Sequence, residues 1–209
     1  MAIKNQSMKV IKDDIISFSG SFEDYFVSIV DIVDSTKITS FLSQRQACKY
    51  YAIFLNAMAA IVQGFGGKIV KNVGDSLLYY FPKKIGFSEK LLSKRSLECG
   101  IAMLDAGKRI NELMREEHLP PVNYRISGDY GTVMIARENH SVRDDLFGPP
   151  VNLCSKINRH ATPNSMVIGG DMYQIAKSFD EYRFKQCSDY STGLKFSYPI
   201  YSLERNNSQ

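Results

Sequence analysis

The stretch KNVGDSLLYYF, residues 71–81, decides how this chain is read. Gly74-Asp75 has the composition of a two-residue hairpin turn, and residues 77–81 form a strand too apolar to be wetted on both faces. KIVKNV, just upstream, supplies the other arm of the hairpin. A lysine and a carboxylate at the tip of a buried hairpin need a reason beyond the turn itself, because charges brought close to a core are paired or put to use.

Upstream, YFVSIVDI (25–32) is rich in aromatic and β-branched side chains and is predicted as a central strand. It ends at DSTK, where Ser35 or Thr36 is a candidate helix cap. Residues 36–63 carry apolar side chains at helical spacing, with a break near Ser43, until QGFGGK stops them. Gly64, Gly66, Gly67 and Lys68 resemble a phosphate loop in composition only: they follow a helix and precede a strand, the reverse of the order such a loop needs. They are predicted as a helix C-cap.

Downstream, helical periodicity over 89–117 ends at Pro120-Pro121. VNYRISGDYGTVMIA (122–136) is predicted as a second hairpin and ENHSVRDDLFGPP as a polar loop. A helix over 150–160, a strand SMVIGG, a short helix near 171–178 and a strand pair near YRFKQ and KFSYPIYSLE complete the chain. The order β-α-β-β-α-β with added C-terminal strands predicts an α+β protein: a ferredoxin-like core whose mostly antiparallel sheet is covered by helices. Residues 1–20 and 205–209 read as an arm and a tail around one domain, 21–204.

With 44% apolar and 23% charged residues among 209, the composition is that of a folded globular protein. A net charge of +4 falls short of the dense basic stripe of a duplex binder, so FPKKIGFSEKLLSKRS reads as a solvated face and no nucleic acid partner is expected. Cys48, Cys99, Cys154 and Cys187 show neither CxxC spacing nor a nearby histidine, which leaves zinc and disulfide frameworks unsupported. YAIFLNAMAAIV is too short to cross a bilayer, and the first residues lack the apolar centre of a signal peptide. The expectation is a cytoplasmic protein with no membrane insertion.

In this topology the first strand and the first hairpin are neighbours, so Asp31 and Asp75 approach each other. Two close carboxylates repel unless a cation joins them, and hard oxygen ligands suit Mg²⁺ or Mn²⁺. Spacing alone leaves open the alternative that Asp31 caps the βα turn and Asp75 serves the hairpin.

Four stretches in register, VSIVDIVDSTKIT, GGKIVKNVGDSLLYYF, YRISGDYGTVMIA and DDLFGPPVNLCSKINRHATPNSMVIG, resemble the catalytic domain of the class III nucleotidyl cyclases, the adenylate and guanylate cyclase family. The resemblance runs from about Tyr25 to Ile168 and more loosely to Leu203. It implies a homodimer with two active sites in the cleft between subunits, and two divalent ions per site, Mg²⁺ or Mn²⁺, held at Asp31, Ile32 and Asp75. It implies that Lys71 and Asp145 read the base, in the form similar to the adenine-selective members, that Asn152 orients the ribose, and that Lys195 holds terminal phosphates. Asp75 would then serve the metals of one site and Lys71 the base of the other. The activity implied is conversion of ATP to 3′,5′-cyclic AMP and pyrophosphate; GTP, a pyrimidine triphosphate or nucleotide sensing without turnover are the alternatives. A separate regulatory or effector protein is a further expected partner.

Two positions depart from the family pattern. Lys156 stands where most active members carry an arginine that stabilises the phosphate in the transition state; lysine keeps the charge and loses the planar bidentate fork, and Arg159 lies about one helical turn further on. Asp34 stands where glycine is common, and capping of the following helix is its expected role.

Overall fold

A computed structural model describes residues 16–83, 86–138, 144–191 and 197–206. Strand β1 (Ile16–Ile32) runs through the centre of the sheet and begins inside the stretch read from sequence as an arm. Alternate side chains face opposite sides, so Phe26, Val30 and Ile32 enter one core while Tyr25 and Val27 enter another. The short helix α1 (Ser35–Thr39) follows, then α2 (Gln44–Gly64). The break expected near Ser43 is there for a local reason: Ser43 is the N-cap of α2 and exchanges hydrogen bonds with Gln46 in a capping box.

Helix α2 ends at the glycines, where the Gly67 amide bonds the Val62 carbonyl at 2.9 Å and Gly66 takes a φ of 79°; this is the expected cap. Strands β2 (Lys68–Val73) and β3 (Ser76–Phe81) make the expected hairpin. Val73 pairs with Ser76, so the turn is Gly74-Asp75, with Gly74 at a φ of 63° that glycine adopts without strain. Helix α3 (Glu89–Glu116) then leads to β4 (Tyr124–Glu138).

The predicted second hairpin is instead this one 15-residue strand. Its glycines and Asp129 look like turn residues, but β1 pairs with it continuously from Phe22↔Met134 to Ile32↔Tyr124, and that pairing overrides local preference. The predicted polar loop contributes a short strand, β5 (Asp144–Phe147), on the edge of β4. Helix α4 (Pro149–Ile157) continues into a 3₁₀ turn (Asn158–His160); then come β6 (Ser165–Gly169), α5 (Gly170–Ala176), β7 (Tyr182–Ser191) and β8 (Ser197–Arg205).

The eight strands lie in the order β2-β3-β1-β4-β6-β8-β7, with β5 on β4; β4 with β6 is the parallel pair and the others are antiparallel. The first four strands therefore have the ferredoxin-like arrangement expected. One face carries the main core, in which Phe54 of α2 packs on Tyr124 at a ring distance of 5.3 Å and the Tyr124 hydroxyl donates to the Met103 carbonyl of α3. The other face is only partly covered, by α4, which is fastened where Ser127 Oγ donates to the Cys154 carbonyl at 2.8 Å and Cys154 Sγ meets the Val27 carbonyl.

A buried carboxylate ties the sheet together on the far side of β4. Asp129 accepts from the amide of Tyr130 at 2.9 Å and from the Tyr198 hydroxyl of β8 at 2.9 Å, with the Met172 amide of α5 at 3.4 Å. Burial pushes its carboxyl up to about 7 against those hydrogen bonds. No helix among the described residues is long and apolar enough to cross a membrane.

Candidate active site

The partly covered face gathers the polar residues. A bulge in β2 begins the site: Ile69 pairs with Tyr79, yet Lys71 pairs with Leu78, so Val70 is the extra residue. Paired residues share a face, and the bulge therefore turns Lys71 to the side of Leu78 and away from the helix-covered core. There its ammonium meets the Asp145 carboxylate of β5 at 2.5 Å, joining the two residues expected to read a base. Leu146, next to Asp145, is buried in the small core beneath them.

A cleft of about 370 Å³ opens beside this pair. Lys71, Asp31 and Arg125 line it from the sheet, and Asn152, Ser155 and Arg159 from α4 and its 3₁₀ extension. The helix is set at this height by Gly148, where an added Cβ would lie 2.8 Å from the Thr132 carbonyl oxygen, and by Pro149-Pro150, which open the helix without needing the missing amide donors. Asn152 thus lines the cleft, whereas Lys156 is exposed and is not among the residues lining it.

A second, wider groove of about 660 Å³ adjoins the first through Asp31 and Arg125. Asp31 and Asp75 both line it, with Ile32 between strand and helix. The Ile32 side chain is buried in the main core, so its backbone is what faces the groove. Partial burial pushes the Asp31 carboxyl up; a hydrogen bond donated by Ser76 pulls it back, the Asp75 charge pushes it up again, and Arg125, its cross-strand partner, opposes that.

Among the described residues no group of three or more His, Cys, Asp or Glu is gathered for a metal. Two half-buried carboxylates that repel each other in one groove suit a hard divalent cation whose remaining ligands are phosphate oxygens and water, so the donor set fits Mg²⁺ or Mn²⁺ brought with a nucleotide. Lys195 lies outside the described residues.

Asp34 does not cap α1 as expected. It occupies the N-cap position with φ 56° and ψ 29° and makes no side-chain capping bond; Ser35 is the first helical residue. That left-handed conformation costs glycine nothing and aspartate little, which accounts for aspartate at this position. Arg125, Ser76 and Ser155 were not singled out from sequence. Arg125 is recognisable only once the register placing it opposite Asp31 is known.

No curated protein sequence matches the chain significantly. Solved structures do. The adenylyl cyclase CyaB from P. aeruginosa superposes with a TM-score of 0.79 at 21% identity, covering 90% of this chain and 97% of that one. The guanylyl cyclase Cya2 gives 0.75 at 21% identity, covering 88% and 93%. The dimeric guanylyl cyclase domain of the RhoGC fusion protein from the aquatic fungus Blastocladiella emersonii gives 0.76 at 18% identity, covering 89% and 99%. At such identities the likeness is one of fold. The family model of the adenylate and guanylate cyclase catalytic domain matches residues 19–203, nearly the whole sequence, and the chain belongs to that family.

Proposed function

We propose that this member of the family converts ATP to 3′,5′-cyclic AMP and pyrophosphate as a homodimer in the cytoplasm, with residues 21–204 as the catalytic domain. The observation that carries the choice of ATP is the Lys71–Asp145 pair beside the cleft. Adenine offers an acceptor at N1 and a donor at its 6-amino group, matching an ammonium and a carboxylate side by side; guanine offers a donor at N1 and an acceptor at position 6, the reverse order.

The reaction joins the ribose 3′ oxygen to the α-phosphorus as the bond to pyrophosphate breaks, and the 3′ proton passes to solvent. The protein's part is positioning and charge neutralisation. Asn152, exposed on the cleft wall, is suited to hold the ribose in line, and the Lys71–Asp145 pair to fix the base. Mg²⁺ or Mn²⁺, two per site at Asp31, Asp75 and the Ile32 backbone, would make the 3′ oxygen more acidic and neutralise the phosphates. Lys195 is assigned to the terminal phosphates. Asp31, Asp75 and Ile32 of one protomer are taken to act with Lys71, Asp145 and Asn152 of the other.

The test is to give the purified protein Mn²⁺ and each of the four ribonucleoside triphosphates, and to identify cyclic products by mass spectrometry alongside released pyrophosphate. Cyclic AMP from ATP as the main product is expected. A dominant cyclic GMP, CMP or UMP product would reassign the base, and tight ATP binding with no pyrophosphate at any protein concentration would make the protein a sensor.

A further inference from the structure

Two basic residues close together, Lys156 in α4 and Arg159 in the 3₁₀ turn that extends it, invite the question of which one meets a substrate. At 100° per residue along α4, Ser155 lies about 60° to one side of Asn152 and Lys156 about 40° to the other, while Arg159 follows in the 3₁₀ turn. The cleft takes up the first flank: Asn152, Ser155 and Arg159 line it and Lys156 does not.

The position of Arg159 is also built. Asn158, just before it, is buried, and its amide nitrogen donates to the Arg125 carbonyl at 3.3 Å and to Ser127 Oγ at 3.2 Å, pinning the 3₁₀ turn to β4. Ser127 in turn donates to the Cys154 carbonyl, so sheet, helix and turn form one hydrogen-bonded unit beneath Arg159.

Charge counting points the same way. Lys71 is already paired with Asp145. A triphosphate carries about four negative charges near neutral pH, and Arg125 and Arg159 are the other cations lining the cleft. A guanidinium can grip two phosphate oxygens at once, whereas an ammonium acts as a point charge.

We propose that Arg159, and not Lys156, is the cation of α4 and its extension that contacts the substrate's phosphates and stabilises their charge as pyrophosphate leaves. This rests on the cyclase reading above, and the experiment separates the two. Arg159→Ala, Arg159→Lys and Lys156→Ala are compared in Mn²⁺-ATP turnover and in equilibrium binding of an α,β-methylene ATP analogue and of adenosine.

In turnover, Arg159→Ala is expected to lower kcat about 100-fold. Arg159→Lys should recover only part of it, and Lys156→Ala should stay within about threefold of wild type. In binding, Arg159→Ala should weaken the analogue about tenfold or more and leave adenosine unchanged. Arg159→Ala within threefold of wild type in both assays, or Lys156→Ala as damaging as Arg159→Ala, overturns the assignment. If the wild type makes no cyclic nucleotide, the cyclase reading fails and the binding arm alone decides the role of Arg159. A wild type that does not bind the triphosphate analogue overturns both.

Discussion

The same strands build two unlike faces. Toward α2 and α3, Phe26, Val30, Tyr79 and Phe81 are buried almost completely; toward α4, their neighbours Ile29, Asp31 and Ser76 are left half-exposed around a cleft. The period of two lets each strand contribute to stability with one set of side chains and to chemistry with the next. The difference lies in cover: long helices close the first face, while the nine-residue α4 leaves the second partly open. Stability and activity should therefore be separable by substitutions one or two residues apart.

Two substitutions should break the two faces independently. Asp31→Asn is expected to lower cyclic nucleotide formation about 10³-fold with little change in thermal unfolding, because it removes a charge from the open groove and no packing. Phe54→Ala, in the closed core, should cost about 3–5 kcal/mol in urea unfolding and leave KM unchanged in the molecules that remain folded. Loss of stability in the first or of substrate affinity in the second would mean that the faces are coupled.

Asp129 sharpens the comparison, since it is buried yet keeps an acidic group. Its carboxyl, raised from 3.8 to about 7, holds its proton in the folded chain at pH values where an unfolded aspartate has lost it. Its contribution is complete below about pH 4 and is lost as pH rises toward 7. Wild-type stability should fall on the order of 2–3 kcal/mol between pH 5 and 7 relative to Asp129→Asn, measured by urea unfolding at each pH. A smaller effect is expected at the rim, where Lys71→Glu sets two acids side by side and should lower kcat/KM for ATP about 30-fold without loss of fold.

The closed face was the more legible in sequence. Helical spacing over α2 and α3, the aromatic and β-branched run of β1 and the continuous apolar run of β3 report burial directly, and the β2–β3 turn announces itself through Gly74. β4 was misread because Gly128, Asp129 and Gly131 have turn chemistry, and only its pairing with β1 makes them strand. On the open face, resemblance supplied Lys71, Asp145 and Asn152, but spacing did not reveal the bulge at Val70 that turns Lys71 toward Asp145. Nor did it show that Arg159, in the 3₁₀ turn after α4, lines the cleft while Lys156 does not. Such features depend on register and helix rotation, which no local run of residues encodes.

The central claim is that the open face is half of a site completed by a second copy. The direct measurement is to inactivate Asp31→Asn and Asn152→Ala proteins separately, mix them under conditions that exchange subunits, and assay Mn²⁺-ATP turnover. With sites shared across a two-fold axis, mixed dimers carry one intact site, and activity should return to roughly a quarter of wild type. Activity that stays at the level of the separate variants after subunit exchange is verified would contradict the shared site.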